Sequence, residues 1–289
     1  MKVDNAIIMA AGTSSRFAPL SYEMPKALIE VRGEILIERQ IRQLKEAGVP
    51  QIYVITGYKA EQFSYLEDKC GVKLIHNPDY LTRNNNASIW HARHVLKNTY
   101  ICSADNYFHK NPFEADVDEA YYAAVYADGP TAEWCMEEDE EGCIRSVTVG
   151  GSDAWYMLGH AFWSESFSRR FLAILSEEYE LPETADKLWE KILMAHLDVL
   201  KMKIRKYPPE MIYEFDTLDE LREFDVSYLT DTRSPLIKGA AKALGVAESD
   251  IVEIRPVRSE DTSAAGFSFV CGGRPYEYIY ASGVLRPVE

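Results

Sequence analysis

Short apolar segments alternate with amphipathic segments through the first hundred residues. The apolar segments have the length of buried strands and cover residues 6–11, 51–57, 72–75 and 100–104. Between them, segments with helical spacing of apolar residues cover 36–47, 60–70 and 86–96, and Gly48 and Gly71 end the first two. Strand–helix–strand units of this length predict a mainly parallel sheet with right-handed crossovers, flanked by helices.

The pattern changes from about Asp116. Further strands are predicted at 121–126, 144–149, 159–163, 203–207 and 213–216, with a hairpin turn at 137–142. Further helices are predicted at 164–179, 185–196 and 218–224. The fold class is therefore α/β, with a Rossmann-like mixed sheet.

A last segment looks separate from the rest of the chain. It contains a helix over 235–244 that ends at Gly245, a strand over 251–257, and two strands around the turn 272–275. A helix and a hairpin bury little core alone. We therefore predict a main domain over 1–230 and a small α+β appendage over 231–289, packed on the main domain as a remnant or docking module.

Charge and cysteine content narrow the class of protein. The chain has 289 residues, with 31 Lys and Arg against 46 Asp and Glu, so its net charge is −15 and nucleic acid is an improbable partner. No apolar run is long enough for a membrane helix, and the N-terminus lacks a signal-peptide pattern. Five cysteines without close pairs indicate free thiols and a cytoplasmic protein. Any anionic ligand must be held by a few basic groups.

The loop after the first strand carries such groups. Its small residues Ala10, Ala11, Gly12, Thr13, Ser14 and Ser15 leave backbone N–H groups free for phosphate, and Arg16 and Lys26 add positive charge. The loop has neither the GK[ST] ending of a P-loop nor a GxGxxG pattern. An ordinary turn with solvated basic residues is the alternative.

The full pattern of apolar strand, Ala-Ala-Gly, Arg16 and Pro25-Lys26 resembles the signature of sugar-nucleotide pyrophosphorylase-like nucleotidyltransferases. Within them the chain is similar to the bacterial CTP:phosphocholine cytidylyltransferases. Further matching stretches cover residues 57–63, 84–88, 104–107, 133–134, 188–189 and 213–216. The chain departs from the family at Ser14, where many relatives have glycine, and around the acceptor pocket at Ala132 and Leu188.

The resemblance implies the nucleotidyltransferase fold and transfer of CMP from CTP to phosphocholine, giving CDP-choline and pyrophosphate. It implies Mg²⁺ on Asp105 and Asp216, with Lys26 and Arg16 as catalytic cations. The implied nucleotide-binding residues are Ala10, Ala11, Gly12, Thr13, Ser14, Ser15, Arg16, Gly57, Tyr58, Asn84, Asn85, Ser88 and Ala104. The alternative for each Asp is a helix or turn cap, and for the Asn run it is a polar loop beside a helix N-terminus.

The acceptor pocket is implied by Trp134 and Trp189, whose rings match positions that face the choline group. Glu133, Asp186 and Glu190 are the neighbouring carboxylates, and a plain surface location is their alternative. Other acceptors in the same class are 2-aminoethylphosphonate, phosphoethanolamine and a sugar phosphate. A nucleotide-sensing scaffold without catalysis is the alternative from another class. The appendage resembles the opening of a choline-kinase-type phosphotransferase, but it ends before any catalytic loop.

Overall fold

The computed structural model describes residues 1–258 and 264–288. They form two compact units: the first consists of Met1–Gly12 and Leu36–Glu214, and the second of Thr13–Ile35 and the described residues from Phe215 onward. This division differs from the predicted boundary near residue 230. It differs because the loop after the first strand packs with the C-terminal part of the chain.

The elements are numbered along the chain. The strands are β1 (Asn5–Ala10), β2 (Glu30–Val31), β3 (Glu34–Ile35), β4 (Ile52–Thr56), β5 (Lys73–His76), β6 (Thr99–Ser103), β7 (Asn106–Phe108), β8 (Tyr121–Glu138), β9 (Ile144–Trp163), β10 (Lys203–Tyr207), β11 (Ile212–Glu214), β12 (Val252–Arg258), β13 (Ala264–Cys271), β14 (Arg274–Ile279) and β15 (Val284–Pro287). The α-helices are α1 (Leu20–Glu23), α2 (Leu36–Glu46), α3 (Tyr65–Cys70), α4 (Asn86–His91), α5 (Glu165–Glu178), α6 (Trp189–Ala195), α7 (Leu218–Phe224), α8 (Ser227–Thr230) and α9 (Pro235–Leu244).

The first unit is built on a seven-stranded sheet with strand order β10-β8-β9-β6-β1-β4-β5. β1 pairs in parallel with β4 and β6, and β4 pairs in parallel with β5. β9 runs antiparallel to β6 and β8, so the sheet is mixed. Ile7 and Ile8 of β1 are both fully buried, as expected for a central strand covered on both faces. The predicted fold class is confirmed.

Two strands are much longer than predicted. The sequence predicts separate strands at 121–126, 144–149 and 159–163, whereas β8 and β9 form one long irregular ribbon. Proline and glycine usually weaken or interrupt strands, but the register of β8 and β9 shifts on each side of Pro130, and Gly150 takes a φ of +79°. Bulges absorb such residues without ending the pairing.

Helix α6 begins later than the predicted residue 185. The backbone N–H of Asn84 donates to the carbonyl of Ala185 at 2.7 Å, and the Asn86 side chain donates to the carbonyls of Thr184 and Lys187. These bonds hold residues 184–187 outside an α-helix. The predicted helices at 60–70 and 86–96 likewise divide into a 3₁₀ turn and a shorter α-helix.

The second unit contains the β2–β3 hairpin, four α-helices and the antiparallel sheet β12-β13-β14-β15. Phe267 and Phe269 of β13 are buried and lie opposite Tyr278 and Tyr276 of β14. The predicted helix over 235–244 and the two predicted hairpin strands are confirmed, and β15 is an additional strand. All five cysteines are free thiols, as predicted. No helix within residues 1–258 or 264–288 is both long and apolar enough to cross a membrane.

Candidate active site

The end of β1 is held by backbone hydrogen bonds within the first unit. The carbonyl of Ala11 accepts from the N–H of Tyr58 at 3.0 Å, and the carbonyl of Met9 accepts from the N–H of Ala104 at 3.2 Å. Gly57 is tightly packed, because a Cβ there would lie 2.7 Å from Tyr80 and 2.9 Å from the Ala11 oxygen. Gly57, Tyr58 and Ala104 therefore position the start of the loop, and their direct contact with nucleotide stays a prediction.

Gly12 differs from Gly57. A Cβ on Gly12 would meet no heavy atom of the described chain within 4 Å, and the residue is exposed. The two preceding residues, Ala10 and Ala11, are buried at 7% and 5% exposure. The strand thus delivers a small exposed residue beside open space, which suits close approach of a ligand to the backbone.

The second unit continues the loop from Thr13. Ser14 adopts the left-handed conformation with φ 47° and ψ 44°, and residues Ser15–Phe17 form a 3₁₀ helix. A left-handed position favours glycine, so Ser14 takes here a backbone conformation that glycine adopts without strain. The turn places the Arg16 guanidinium at the surface, where it pairs with the Asp216 carboxylate.

Lys26 approaches the same carboxylate. Its side chain is only 4% exposed, and its Nζ lies 3.8 Å from Oδ1 of Asp216. Arg16 and Lys26 thus lie on one carboxylate almost two hundred residues away in sequence. The structure brings together three of the predicted site residues, and it makes a plain turn with solvated basic residues a poor description of this loop.

Asp216 does not cap the following helix. Thr217 is the N-cap of α7, since its Oγ1 accepts from the N–H of Glu220 at 3.2 Å. The alternative that Asp216 is present as an N-cap is therefore wrong. Its carboxylate, one-third exposed, remains directed to the two cations.

Asp105 lies in the turn between β6 and β7 of the first unit, directly after a strand as predicted. The next residue, Asn106, is buried at 2% exposure, and its Oδ1 has no hydrogen-bond partner among the described residues. Carboxylate and amide oxygens suit Mg²⁺, which usually takes one or two carboxylates together with substrate phosphates and water. No cluster of three or more His, Cys, Asp or Glu arranged for a metal occurs in the described chain. Asp105 and Asn106 offer oxygen atoms of this kind within the first unit, and the binding of Mg²⁺ by Asp105 and Asp216 stays a prediction.

The Asn run connects two parts of the first unit. Asn84 Nδ2 donates to the carbonyl of Asp186 at 3.1 Å, and Asn85 Oδ1 accepts from the N–H of Trp189 at 2.6 Å. Ser88 is 3% exposed, and its hydroxyl accepts from the Asn77 amide at 3.2 Å. Burial of Ser88 favours a packing role over the predicted contact with nucleotide.

A buried carboxylate lies beside this run. Glu190 is 9% exposed, and it accepts hydrogen bonds from the Asn85 amide and the Tyr122 hydroxyl, both at 3.2 Å. Burial raises the pKa of Glu190 to about 7, although both hydrogen bonds favour the ionised form. The same burial, with Glu190 alongside, raises the pKa of Tyr122, so its hydroxyl stays protonated and donates. The two donors are neutral and bring no positive charge to the carboxylate.

The two predicted acceptor rings lie in different environments. Trp189 is 1% exposed and packs in the core, stacked on Tyr122 and edge-on to Trp163 at a centroid distance of 5.0 Å. This placement does not support a ring face open to an acceptor. Trp134 is half-buried, and Nζ of Lys191 lies 4.5 Å from its ring centroid. Trp134 therefore already binds a cation through its ring face.

Glu133 and Asp186, the two other predicted acceptor carboxylates, are exposed. Exposure agrees with the surface alternative and leaves Glu190 as the desolvated carboxylate of the group. The sequence pattern does not predict the hydrogen bond between Tyr122 and Glu190, because an aromatic residue on a strand is usually a core residue. The available signal was the Tyr122 hydroxyl itself, because a tyrosine on a core-facing strand position usually hydrogen-bonds to a buried partner.

The chain is similar to known nucleotidyltransferases. Residues 6–133 match the MobA-like NTP transferase domain. The choline-phosphate cytidylyltransferase of Streptococcus pneumoniae is 32% identical over 220 residues, covering 76% of this chain and 96% of that protein. A solved structure of the CTP:phosphocholine cytidylyltransferase of that organism superimposes with a TM-score of 0.74 over 77% of this chain and 97% of the other, at 33% identity.

Two other relatives bear different acceptor names. The 2-aminoethylphosphonate cytidylyltransferase of Lancefieldella rimae is 36% identical over 234 residues, covering 80% of this chain and 95% of that protein. The CTP:phosphoglutamine cytidylyltransferase of Campylobacter jejuni is 44% identical over 248 residues, covering 81% and 88%. The shared element of all these names is the cytidylyl transfer. The chain therefore belongs to the bacterial cytidylyltransferase family that includes choline-phosphate cytidylyltransferase, and it is a nucleotidyltransferase of that type.

Proposed function

We propose that this enzyme transfers CMP from CTP to a small phosphorylated amine, with phosphocholine as the preferred acceptor. The observation that carries the amine is the buried Glu190 carboxylate, whose hydrogen-bond donors are both neutral. A buried anion without a positive partner is costly, and a cationic ligand group would offset that cost. A cationic group on the acceptor supplies this partner.

The preference for a quaternary amine rests on Trp134. Its ring face holds the Lys191 ammonium at 4.5 Å, which is within the range of cation–π attraction. A trimethylammonium group spreads its charge over methyl groups and has no N–H to satisfy, so it suits a ring face better than a primary ammonium does. Binding would displace the Lys191 side chain, whose own aliphatic stem is flexible.

For this reaction the enzyme must neutralise and align two anions, CTP and the acceptor phosphate. An oxygen of the acceptor phosphate attacks the α-phosphorus of CTP, the bond from that phosphorus to the bridging oxygen breaks, and pyrophosphate leaves with the electron pair. In this proposal Lys26, which is buried on the loop, would stabilise charge at the α-phosphate, and the exposed Arg16 would hold the departing pyrophosphate. No side-chain base is needed, because a phosphate monoester is already ionised near neutral pH.

Asp105 and Asp216 are the proposed carboxylate ligands of Mg²⁺. When bound, that ion would offset negative charge on the phosphates. In the structure Asp216 is paired with Arg16 and Lys26, and these contacts hold its carboxylate in place.

A second acceptor class is favoured by a specific observation. The relative from Lancefieldella rimae acts on 2-aminoethylphosphonate, and the Glu190 carboxylate would accept hydrogen bonds from a primary ammonium. The relative from Campylobacter jejuni makes phosphoglutamine a further compound to test.

The test is a pyrophosphate-release assay of CTP with each acceptor, run on the wild type, Trp134→Ala and Glu190→Gln. We expect the highest kcat/KM with phosphocholine, and about a tenfold or larger loss with phosphocholine in Trp134→Ala. Asp186→Asn, at an exposed position in the same region, is the matched control and should change little. Equal or higher kcat/KM for 2-aminoethylphosphonate, phosphoethanolamine or phosphoglutamine in the wild type would contradict the phosphocholine assignment.

A further inference from the structure

The C-terminal part of the second unit reaches the loop that carries Arg16. Arg258 is the last residue of β12, and its Nη2 donates to Oγ of Ser15 at 2.8 Å. β12 packs against the 3₁₀ helix Ser15–Phe17. A positive side chain from the end of the chain therefore lies on a loop that the sequence marks as the phosphate-binding element.

Charge balance gives this arginine a purpose. The chain has a net charge of −15, so a triphosphate must be held by locally placed cations. Arg16 and Lys26 both face the Asp216 carboxylate, which offsets part of their charge. Ser15 is a neutral hydroxyl, so its contact with Arg258 adds no negative charge beside that guanidinium. A planar guanidinium fork is well matched to phosphate oxygens.

The position of β12 is fixed by buried contacts within the same unit. Arg222 of α7 is 4% exposed, and it donates to the carbonyl of Ile251 at 2.6 Å and to the carbonyl of Glu248 at 2.7 Å. The Asp219 carboxylate of the same helix accepts from the N–H of Glu253 at 2.8 Å. The strand that ends in Arg258 is thus anchored to the helix that follows Asp216.

We propose that Arg258 binds the triphosphate of CTP, at the β- or γ-phosphate, and that it holds the pyrophosphate product. The C-terminal segment is then a working part of the nucleotide site and not a remnant. This inference rests on the proposed function, in that CTP is taken as the donor.

The experiment compares Arg258→Ala and Arg258→Lys with the wild type. The control is Arg286→Ala, which removes an exposed arginine of the same unit that pairs with Glu277. We expect Arg258→Ala to raise the KM for CTP and the inhibition constant of pyrophosphate about tenfold each, with kcat and the acceptor KM nearly unchanged. Arg258→Lys should recover part of the loss, since charge is retained without the fork.

Calorimetric titration with CTP and with pyrophosphate, in the absence of acceptor, separates this inference from the proposed function. If the wild type binds and turns over CTP while Arg258→Ala matches it in both titrations, the role of Arg258 is refuted and the proposed function stands. If the wild type binds no CTP, the proposed function fails and takes this inference with it. Thermal unfolding of each variant checks that Arg258→Ala keeps its fold; an equal loss of CTP affinity in Arg286→Ala would also refute a specific role.

Discussion

Replacing Arg222 by methionine should loosen the second unit more than any surface change. The guanidinium is almost fully buried and serves the carbonyls of Ile251 and Glu248, with Asp219 as its ionic partner at 3.1 Å. Methionine fills a similar volume but donates nothing, so the buried carbonyl of Ile251 and the partly buried carbonyl of Glu248 lose their donor. A hydrogen bond from a charged donor contributes about 1.5–3 kcal/mol, which puts the loss at roughly 3–6 kcal/mol for the two bonds together.

The free energy of unfolding of a typical domain is about 5–15 kcal/mol, so a loss of that size is a large part of it. Hydrogen exchange is the suitable assay, because it reports opening free energies segment by segment. Amides of β12 and β13 should exchange about a hundredfold faster or more in Arg222→Met, while amides of β1 and β4 in the first unit should change far less.

The matched control is again Arg286→Ala, whose arginine is 61% exposed and pairs with Glu277 at 3.0 Å. An exposed pair of this kind contributes about 0–1 kcal/mol, so exchange in β12 and β13 should stay near the wild-type rate. If Arg222→Met exchanges at the same rate as this control, the buried guanidinium does not anchor the C-terminal strands, and the reasoning is wrong.

Three further predictions follow from the site. Gly12→Ala should keep the wild-type melting temperature but weaken CTP binding about tenfold or more, because the added methyl meets no described atom and would take space used by phosphate. Gly57→Ala should instead lower the free energy of unfolding by about 1–3 kcal/mol through its clash with Tyr80. CTP affinity in Gly12→Ala equal to that of the wild type would contradict the loop assignment. Lys26→Ala should lower kcat about a hundredfold or more with a smaller change in the KM for CTP, and steady-state kinetics that show only a raised KM would limit Lys26 to ground-state binding. Burial raises the Glu190 pKa from 4.5 to about 7, so the folded state holds this proton more tightly than the unfolded state does. The free energy of unfolding should therefore fall by roughly 3 kcal/mol in total as pH rises from about 4.5 to 7. Urea unfolding of Glu190→Gln across that pH range should lack this decline, and a pH profile unchanged from the wild type would mean that Glu190 titrates normally.

Local sequence patterns predicted the parts of the site that depend on neighbouring residues. The strand that ends in Ala10, the loop up to Lys26 and the turn at Asp105 each combine a recognisable element with its flanking small or charged residues. The family resemblance singled out Asp216, since an Asp between a short strand and a helix fits a helix cap equally well. Its pairing with Arg16 and Lys26 depends on contacts across most of the chain, which no local pattern encodes.

Other features depend on tertiary context that outweighs local signals. Pro130 and Gly150 favour strand ends, yet bulges let β8 and β9 continue through them. Trp189 at the start of a helix fits a pocket or a core equally well, and only packing against Trp163 and Tyr122 decides for the core.

The burial and contacts of two arginines were the features least predictable from the sequence. Arg222 lies on the same helix face as Leu218 and Leu221, but its charge favours a surface position, and it is nevertheless buried at 4% exposure. Arg258 belongs to a segment that looked detachable, and its contact with Ser15 spans 243 positions of sequence. Segments distant in sequence cover these long charged side chains, so the periodicity of the local sequence does not predict their burial.

The most direct test of the account follows the α-phosphorus of CTP. The wild-type enzyme is incubated with Mg²⁺, phosphocholine and CTP radiolabelled at the α-phosphorus, and the products are separated and identified by phosphorus NMR. The account predicts that all transferred label lies in CDP-choline and none in pyrophosphate, with turnover lost in Lys26→Ala. Label released as CMP or pyrophosphate without a CDP-linked product, or turnover of another nucleotide in preference to CTP, would contradict it.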